Sequence, residues 1–162
     1  MVAPVQIRRA AARDADIIAR LSAEAAAEEG AQSAFDVERV RAHGFGANAL
    51  FEVWLAQGPG KNDHCGLAVI TKSYDVRRAC PSVVLCELYV APQQRRSGLA
   101  RKFMSAIARR ARDLGARELA ITTGVENGVA QRFFAAVGAR RRDAAVFMMS
   151  ADGIEWLAAE GS

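Results

Sequence analysis

Residues 85–111 read LCELYVAPQQRRSGLARKFMSAIARRA, and the rest of the fold can be predicted outward from this stretch. An apolar run from Val83 to Val90 is rich in strand-forming residues, and Pro92 ends it because proline cannot donate to a ladder. After a polar turn at Gln93–Gly98, large apolar residues recur every three or four positions from Leu99 to Leu114. That spacing is typical of one face of an amphipathic helix. The stretch therefore predicts a strand, a tight turn and a helix.

The turn is a candidate site for a diphosphate. The first amides of a helix lack partners within the helix, and the helix dipole adds partial positive charge there. Gly98 leaves the backbone open to a ligand, and Arg95, Arg96 and Arg101 supply permanent cations around it. An ordinary turn with solvated arginines fits the same spacing equally well.

Arg95 to Ala100, RRSGLA, resembles the R/Q-x-x-G-x-G/A signature of the GCN5-related N-acetyltransferase (GNAT) family. In that family the turn binds the pyrophosphate of acetyl-coenzyme A, after a strand and at the start of a helix, as here. Neither a dinucleotide fingerprint nor a nucleotide-hydrolase phosphate loop is present. The resemblance implies acetyl-CoA as cofactor, held by Leu88, Val90, Arg95, Arg96, Ser97, Gly98, Leu99, Ala100, Arg101, Asn127 and Phe134.

The composition is that of a globular protein, and 162 residues predict one N-acetyltransferase domain over residues 1–162. No apolar run is long enough for a membrane span and no signal peptide is recognisable, so no membrane partner is expected. The three cysteines lack metal-site spacing, which indicates reduced thiols, a cytoplasmic protein and no metal. The net charge of +4 suits an anionic cofactor, and no nucleic-acid partner is expected.

The periodicities predict the order β-α-α-β-β-β-α-β-α-β, with Tyr74 to Pro81 as a polar connection and Ala144 to Met149 as a last strand. This is an α+β domain with a mostly antiparallel sheet. The order is also that of the GNAT family. The resemblance therefore implies the GNAT-like acyl-CoA N-acyltransferase fold, a mixed sheet of about six or seven strands splayed at the central strand and flanked by about four helices.

Several short matches resemble the spermidine/spermine (diamine) N-acetyltransferase-like branch of that family. They are Asn127 to Ala139, Ser73-Tyr74-Asp75, Glu28-Glu29-Gly30 and Phe35 to Gly46. The branch implies that a polyamine-like substrate is bound by Glu28, Glu29, Tyr74 and Asp75. A homodimer is also expected. Ordinary surface acids are the alternative interpretation of these carboxylates.

The chain departs from that branch at two positions. Phe134 stands where the branch has a tyrosine that protonates the leaving thiolate, and Cys86 replaces one acid of a pair, leaving Glu87. Glu87 is the candidate base or water-orienting group, and Tyr89 is the rival proton donor. Alternation puts Glu87 and Tyr89 on one face of the strand and Cys86, Leu88 and Val90 on the other, unless a bulge intervenes.

The predicted activity is transfer of an acetyl group from acetyl-CoA to a primary amine of a small, polyamine-like or amino-acid-like molecule. One alternative is a catalytically impaired acetyl-CoA-binding regulatory domain, which the two departures suggest. Another is a nucleic-acid or partner-binding module that uses Arg95, Arg96, Arg101 and Arg140 to Arg142. Among enzymes, the acceptor could also be an antibiotic, an amino acid or a protein N-terminus.

Overall fold

The computed structural model describes residues 5–60 and 62–160. The strands are β1 (Gln6–Arg9), β2 (Phe51–Gln57), β3 (His64–Asp75), β4 (Cys80–Val90) and β5 (Glu118–Ile121). The helices are α1 (Ala15–Glu28), α2 (Val37–Gly44), α3 (Leu99–Asp113), α4 (Gly128–Ala136) and α5 (Ala151–Glu160). The contacts divide the chain into a first unit that ends at Asn127 and a second that starts at Gly128. None of the described helices is long and apolar enough to cross a membrane.

The five described strands form one mixed sheet in the order β1-β2-β3-β4-β5. All neighbours are antiparallel except β4 and β5, which run parallel. Their pairing extends from Ser82 with Glu118 to Leu85 with Ile121 and ends there. Within the described chain, residues 86–90 of β4 therefore have no strand on that side. The pairing stops where β5 ends, and the predicted splay of the sheet at the central strand stays a prediction.

Helices cover both faces of the sheet. Ile18 and Leu21 of α1 and Val40 of α2 pack with β2 and β3 in one fully buried cluster. On the other face, α3 contributes its apolar stripe, with Phe103 and Ile107 fully buried. Gly66 of β3 allows Phe103 to approach closely, because a Cβ at that position would lie 3.1 Å from the ring. The first unit thus holds the core that positions β4 and the turn after it.

A β-bulge in β4 changes which side chains share a face. Val69 of β3 pairs with Glu87 but the next residue, Ile70, pairs with Leu85, so Cys86 is the extra residue. The Cys86 sulfur lies 3.6 Å from Oγ1 of Thr71, which follows Val69 by two positions on the face that packs against α1. Cys86 therefore shares the α1 face with Glu87. The prediction from simple alternation was wrong here because a bulge resets the period of two.

The predicted connection at Tyr74–Pro81 was also wrong. β3 continues to Asp75 and β4 begins at Cys80, so most of this polar segment pairs as a hairpin. Oδ1 of Asp75 accepts a hydrogen bond of 3.1 Å from the backbone amide of Arg78 and so organises the turn. The polar composition reflects exposure of both strand ends rather than a loop.

The second unit contains α4 and α5, and the described residues 139–150 between them form no regular structure. The predicted strand at Ala144–Met149 is therefore wrong, and the sheet has five described strands rather than six or seven. Phe147 and Met148 are 92% and 89% exposed. A β-forming sequence needs a neighbouring strand for its backbone hydrogen bonds, and the second unit, as described, has no strand to offer.

A buried carboxylate on β2 joins α3 to the sheet. Glu52 is 3% exposed and accepts two hydrogen bonds from Arg110, at 2.8 and 2.6 Å. Arg9 and Lys72 also lie within 3.2 and 3.4 Å of its carboxylate. Burial would raise the pKa of Glu52, but the Arg110 hydrogen bonds and the three positive charges outweigh it and lower the pKa.

We expect Glu52→Gln to lower the free energy of unfolding by about 1–3 kcal/mol, because it leaves Arg110 without its ionic partner. The comparison is Asp113→Asn, which removes an exposed ion pair with Arg112 and should change the stability by less than about 0.5 kcal/mol. Urea denaturation measures both values at neutral pH. The contribution of Glu52 to stability should disappear as the pH falls through its lowered pKa, because the wild type and Glu52→Gln then both carry an uncharged side chain at this position. Equal stabilities at neutral pH would contradict this role of Glu52.

Candidate active site

The turn between β4 and α3 has the backbone geometry of an anion-binding site. Gly98 adopts φ +81° immediately before the first residue of α3, and Arg96 is also left-handed, at φ +62°. A Cβ built on Gly98 would meet no atom within 4 Å, so the space before the helix is open. The Ser97 hydroxyl donates to the Gln94 carbonyl at 2.6 Å and closes the turn. The free amides of the first helical turn therefore face solvent beside a glycine.

A cationic groove of about 560 Å³ continues from this turn along α3. Its polar lining comes from one face of the helix, and its apolar lining comes from the start of the chain. The lining residues are Val5, Ile7, Gly98, Arg101, Lys102, Ser105 and Arg109. The three cations make the groove suited to a ligand that carries several negative charges.

Arg95, which the sequence assigned to the cofactor, connects the turn to α1. Its Nε donates to the Val90 carbonyl at 3.0 Å, and its Nη2 lies 2.5 Å from Oε2 of Glu28. Arg96 and Arg101 are exposed at the turn. The structure thus brings together Val90, Arg95 and Glu28, a contact that spans 67 positions of sequence between Arg95 and Glu28.

Glu87 lies on the α1 face of β4, in the half of the strand that has no β5 partner. It is half-buried, and its Oε2 accepts a hydrogen bond of 3.4 Å from the Ser22 hydroxyl. Burial raises the pKa of Glu87, the Ser22 hydrogen bond opposes this, and the negative charge of Glu29 adds to it. The net upward shift brings the carboxyl closer to the pH range in which a general base works.

Tyr89 follows on the same face and points to the same helix. It is 7% exposed, and its hydroxyl donates to Oε2 of Glu24 at 3.4 Å. Burial raises the pKa of Tyr89, and the negative charges of Glu24 and Glu28 raise it further. The phenol therefore stays protonated at neutral pH.

Two functional candidates on α1 were missed by sequence reasoning. Ser22 is buried beneath Glu87, and Glu24 is the partner of Tyr89. A signal for Ser22 did exist, since it lies four residues after Ile18, within the apolar stripe of α1. A hydroxyl in such a stripe must find a hydrogen-bond partner. No comparable pattern marks Glu24, which lies among the other acids of the helix.

Two other predicted site residues, Tyr74 and Asp75, lie apart from Glu87 on the sheet. Tyr74 and Asp75 follow Val69, the partner of Glu87, by five and six positions along β3, so Tyr74 is about 17 Å away. Asn127 is the last residue of the first unit, and its backbone amide donates a hydrogen bond of 3.0 Å to the Gly124 carbonyl. Phe134 lies on α4 in the second unit, with its ring 5.3 Å from that of Phe133. The described residues contain no cluster of three side chains able to hold a metal ion.

A strand that loses its neighbour halfway, followed by a glycine turn that opens a cationic helix, is the arrangement expected from the resemblance to the GNAT family. The model of the acetyltransferase (GNAT) family matches residues 47–139, which is more than half of the chain. The chain belongs to the GNAT family. No curated protein sequence matches it.

Solved structures share the fold at low sequence identity. An integron cassette protein from the mobile metagenome of V. cholerae superposes with a TM-score of 0.79 at 20% identity, covering 95% of this chain and 97% of that one. An aminoglycoside acetyltransferase from an uncultured soil metagenomic sample, in complex with sisomicin, gives 0.75 at 19% identity over 91% and 95%. AAC(6')-Iy in complex with the bisubstrate analog CoA-S-monomethyl-acetylneamine gives 0.72 at 22% identity over 91% and 99%.

Proposed function

We propose that the protein transfers the acetyl group of acetyl-CoA to a primary amine of a small, positively charged molecule. The observation that carries this proposal is the position of Glu87, a half-buried carboxyl on the unpaired half of β4, in the strand that leads to the Gly98 turn. An acetyl-CoA-dependent reaction needs both features within reach of one bound coenzyme. The phosphates must be held at one end, and a proton acceptor must lie along the path of the thioester.

The residues at the turn fit the coenzyme. The left-handed glycine and the open space before it would admit the pyrophosphate to the amides of Arg96, Ser97, Gly98 and Ala100. Arg101 and Lys102 of the groove would face its negative charges. Leu88, Val90 and Leu99 would lie along the pantetheine arm, with Asn127 and Phe134 as further proposed contacts. Once bound, the coenzyme supplies an activated thioester.

The protein then has two tasks, to remove a proton and to stabilise a developing negative charge. An acceptor ammonium with a pKa near ~10 loses its proton to Glu87, directly or through a water, and the neutral amine attacks the thioester carbon. The C–N bond would form as the C–S bond breaks, and the second proton of the attacking nitrogen would pass to the departing thiolate, directly or through water, so that coenzyme A leaves as the thiol. A backbone amide on the unpaired side of β4, near Val90, stabilises the carbonyl oxygen during this step.

The end of α1 favours a cationic acceptor. Glu24, Glu28 and Glu29 lie near Glu87 and Tyr89, as the Tyr89–Glu24 hydrogen bond and the effect of Glu29 on Glu87 indicate. We assign recognition of a second ammonium group to Glu28 and Glu29. Tyr74 and Asp75 follow the partner of Glu87 by five and six positions along β3, and their role in substrate binding stays a prediction.

A polyamine-like substrate is the acceptor that this group of carboxylates suits best. An aminoglycoside is the second candidate, because one structural neighbour is an aminoglycoside acetyltransferase and such molecules also carry several ammonium groups. Thiol release from acetyl-CoA across a panel of amines separates the candidates. The panel pairs each diamine with a monoamine of equal length, and adds sisomicin, free amino acids and a peptide with a free N-terminus.

We expect kcat/KM for the diamines to exceed that for the matched monoamines, and Glu28→Gln with Glu29→Gln to reduce this preference. Glu38→Gln on α2 is the control, because Glu38 is exposed and belongs to a different helix. A preference for peptides or amino acids would contradict the polyamine-like assignment. Binding of acetyl-CoA without thiol release for any amine would favour the alternative, a coenzyme-binding regulatory domain.

We further infer a cytoplasmic, homodimeric protein. Cys65, Cys80 and Cys86 are all free thiols, which fits a reducing compartment. Light scattering at two protein concentrations tests the homodimer, which rests on the resemblance to the diamine branch alone. A monomer at both concentrations would contradict it.

Phe134→Tyr tests the role of the missing tyrosine. If Phe134 occupies the place of the acid that protonates the leaving thiolate, the new hydroxyl should raise kcat by up to the ~10²-fold at the low end of general acid catalysis. The affinity for acetyl-CoA should not change. Turnover without this acid is still possible, because a thiol with a pKa near ~8.5 is a good leaving group.

The measurement is steady-state kinetics across pH, and Phe133→Tyr on the same helix is the matched control. A slower Phe134→Tyr enzyme would mean that the surroundings of Phe134 accommodate a phenyl ring but not an added hydroxyl. The same experiment with Tyr89→Phe tests the rival donor.

A further inference from the structure

A chain of hydroxyl groups runs between α1 and β4 beneath the proposed base. Ser22 is 4% exposed, and its Oγ lies 3.4 Å from Oε2 of Glu87 and 3.2 Å from Oγ of Ser33. The Ser33 oxygen in turn accepts a hydrogen bond of 3.1 Å from the backbone amide of Phe35. The chain thus begins at a backbone amide and ends at a carboxylate.

With Glu87 ionised, its carboxylate can only accept, so Ser22 donates its proton there. The Ser22 proton is then used, so Ser22 accepts from the Ser33 hydroxyl, and the Ser33 oxygen also accepts from the Phe35 amide. In this state every hydrogen bond of the chain points toward Glu87. Hydrogen bonds aligned in one direction polarise one another, so the last donor is stronger than an isolated hydroxyl.

We propose that Ser22 and Ser33 are positioning residues for acetyl transfer, which hold Oε2 of Glu87 and stabilise its carboxylate form so that Oε1 faces the acceptor amine. The inference rests on the proposed role of Glu87 as the base. Among the described residues, Oε1 has no hydrogen bond of its own. One oxygen is therefore fixed by the protein while the other is available to substrate or water.

The charges around Glu87 explain why this support matters. Glu29, the residue after α1, raises the pKa of Glu87, and Glu24 and Glu28 of α1 act on the neighbouring Tyr89, while Cys86 adjoins Glu87 on β4. The nearby cations are already engaged, with Arg20 paired to Glu24 and Arg95 to Glu28. Burial and Glu29 both raise the pKa of Glu87, and the Ser22 hydrogen bond is the one effect that lowers it.

The test is a carbon-13 NMR titration of the Glu87 carboxyl in the free protein, assigned by its loss in Glu87→Gln. We expect Ser22→Ala to raise the pKa of Glu87 by about 1, as the loss of one hydrogen bond to a charged group predicts. Ser33→Ala should raise it less, and Ser22→Thr, which keeps the hydroxyl, should restore it. Ser73→Ala, an exposed serine of β3, is the control.

In Ser22→Ala, the acid limb of the pH profile of kcat/KM should shift to higher pH by the same amount as the pKa of Glu87 rises. An unchanged Glu87 titration in Ser22→Ala would overturn the inference. A raised pKa with an unmoved acid limb would also overturn it, and would place the failure in the assignment of Glu87 as base rather than in the hydroxyl chain. Ser33 is half-buried and lies outside the helices, so the pKa of Glu87 can still be measured in Ser33→Ala even if Ser22→Ala is unstable.

Discussion

Glu87→Gln is expected to lower kcat/KM by about 10²–10⁴-fold, because glutamine keeps the shape of the side chain but cannot accept the proton of the incoming ammonium. The amide can still accept the Ser22 hydrogen bond, so the local structure should persist. The affinity for acetyl-CoA should not change, since the phosphates bind at the Gly98 turn.

The pH dependence provides a second check on this residue. The raised pKa of Glu87 predicts that the acid limb of the wild-type profile lies above ~4.3, the ordinary value for glutamate, and that Glu87→Gln lacks this limb. Steady-state thiol release between pH 5 and 9 measures both effects. Glu38→Gln serves again as the matched control. An unchanged rate in Glu87→Gln would remove the proposed base and leave water as the proton acceptor.

Gly98→Glu is expected to weaken acetyl-CoA binding by more than about 100-fold. The variant places a side chain and a negative charge in the open space before α3, where the pyrophosphate would lie, and forces a non-glycine residue to φ +81°. Isothermal titration calorimetry with acetyl-CoA measures the loss.

A control separates this effect from backbone strain. Gly115→Glu introduces the same residue at φ +72°, again with no atom within 4 Å of the Cβ, at the other end of α3. It lies about 25 Å from Gly98 along the helix, so it should lose stability but keep coenzyme affinity. Equal affinities for the wild type and Gly98→Glu would mean that the coenzyme binds elsewhere.

The sequence was most informative where the signals are local. Pro92, Gly98 and the apolar repeat of α3 each constrain the backbone within a few residues, so the strand, turn and helix were predicted nearly to their ends. The bulge at Cys86 could not be predicted, because it depends on the register between β3 and β4. The same holds for Ser22 and Glu24, whose contacts with Glu87 and Tyr89 span 65 positions.

The wrong strand at residues 144–149 has a related cause. A run of β-forming residues shows that a strand would be favourable, but only a free neighbouring edge makes it form. Tyr74 and Asp75 illustrate the same limit for the site. Their match to a branch pattern is local, whereas the distance to Glu87 is set by how far β3 extends.

A single-turnover experiment tests whether an acetyl group is transferred to an amine at β4. Wild-type protein in excess over acetyl-CoA is mixed with a saturating diamine, and free coenzyme A and acetylated amine are measured together by mass spectrometry. We expect both products in equal amounts, and Glu87→Gln should form them about 10²–10⁴-fold more slowly. Acetyl-CoA that is bound by the protein but stays intact with every amine tested would contradict this expectation.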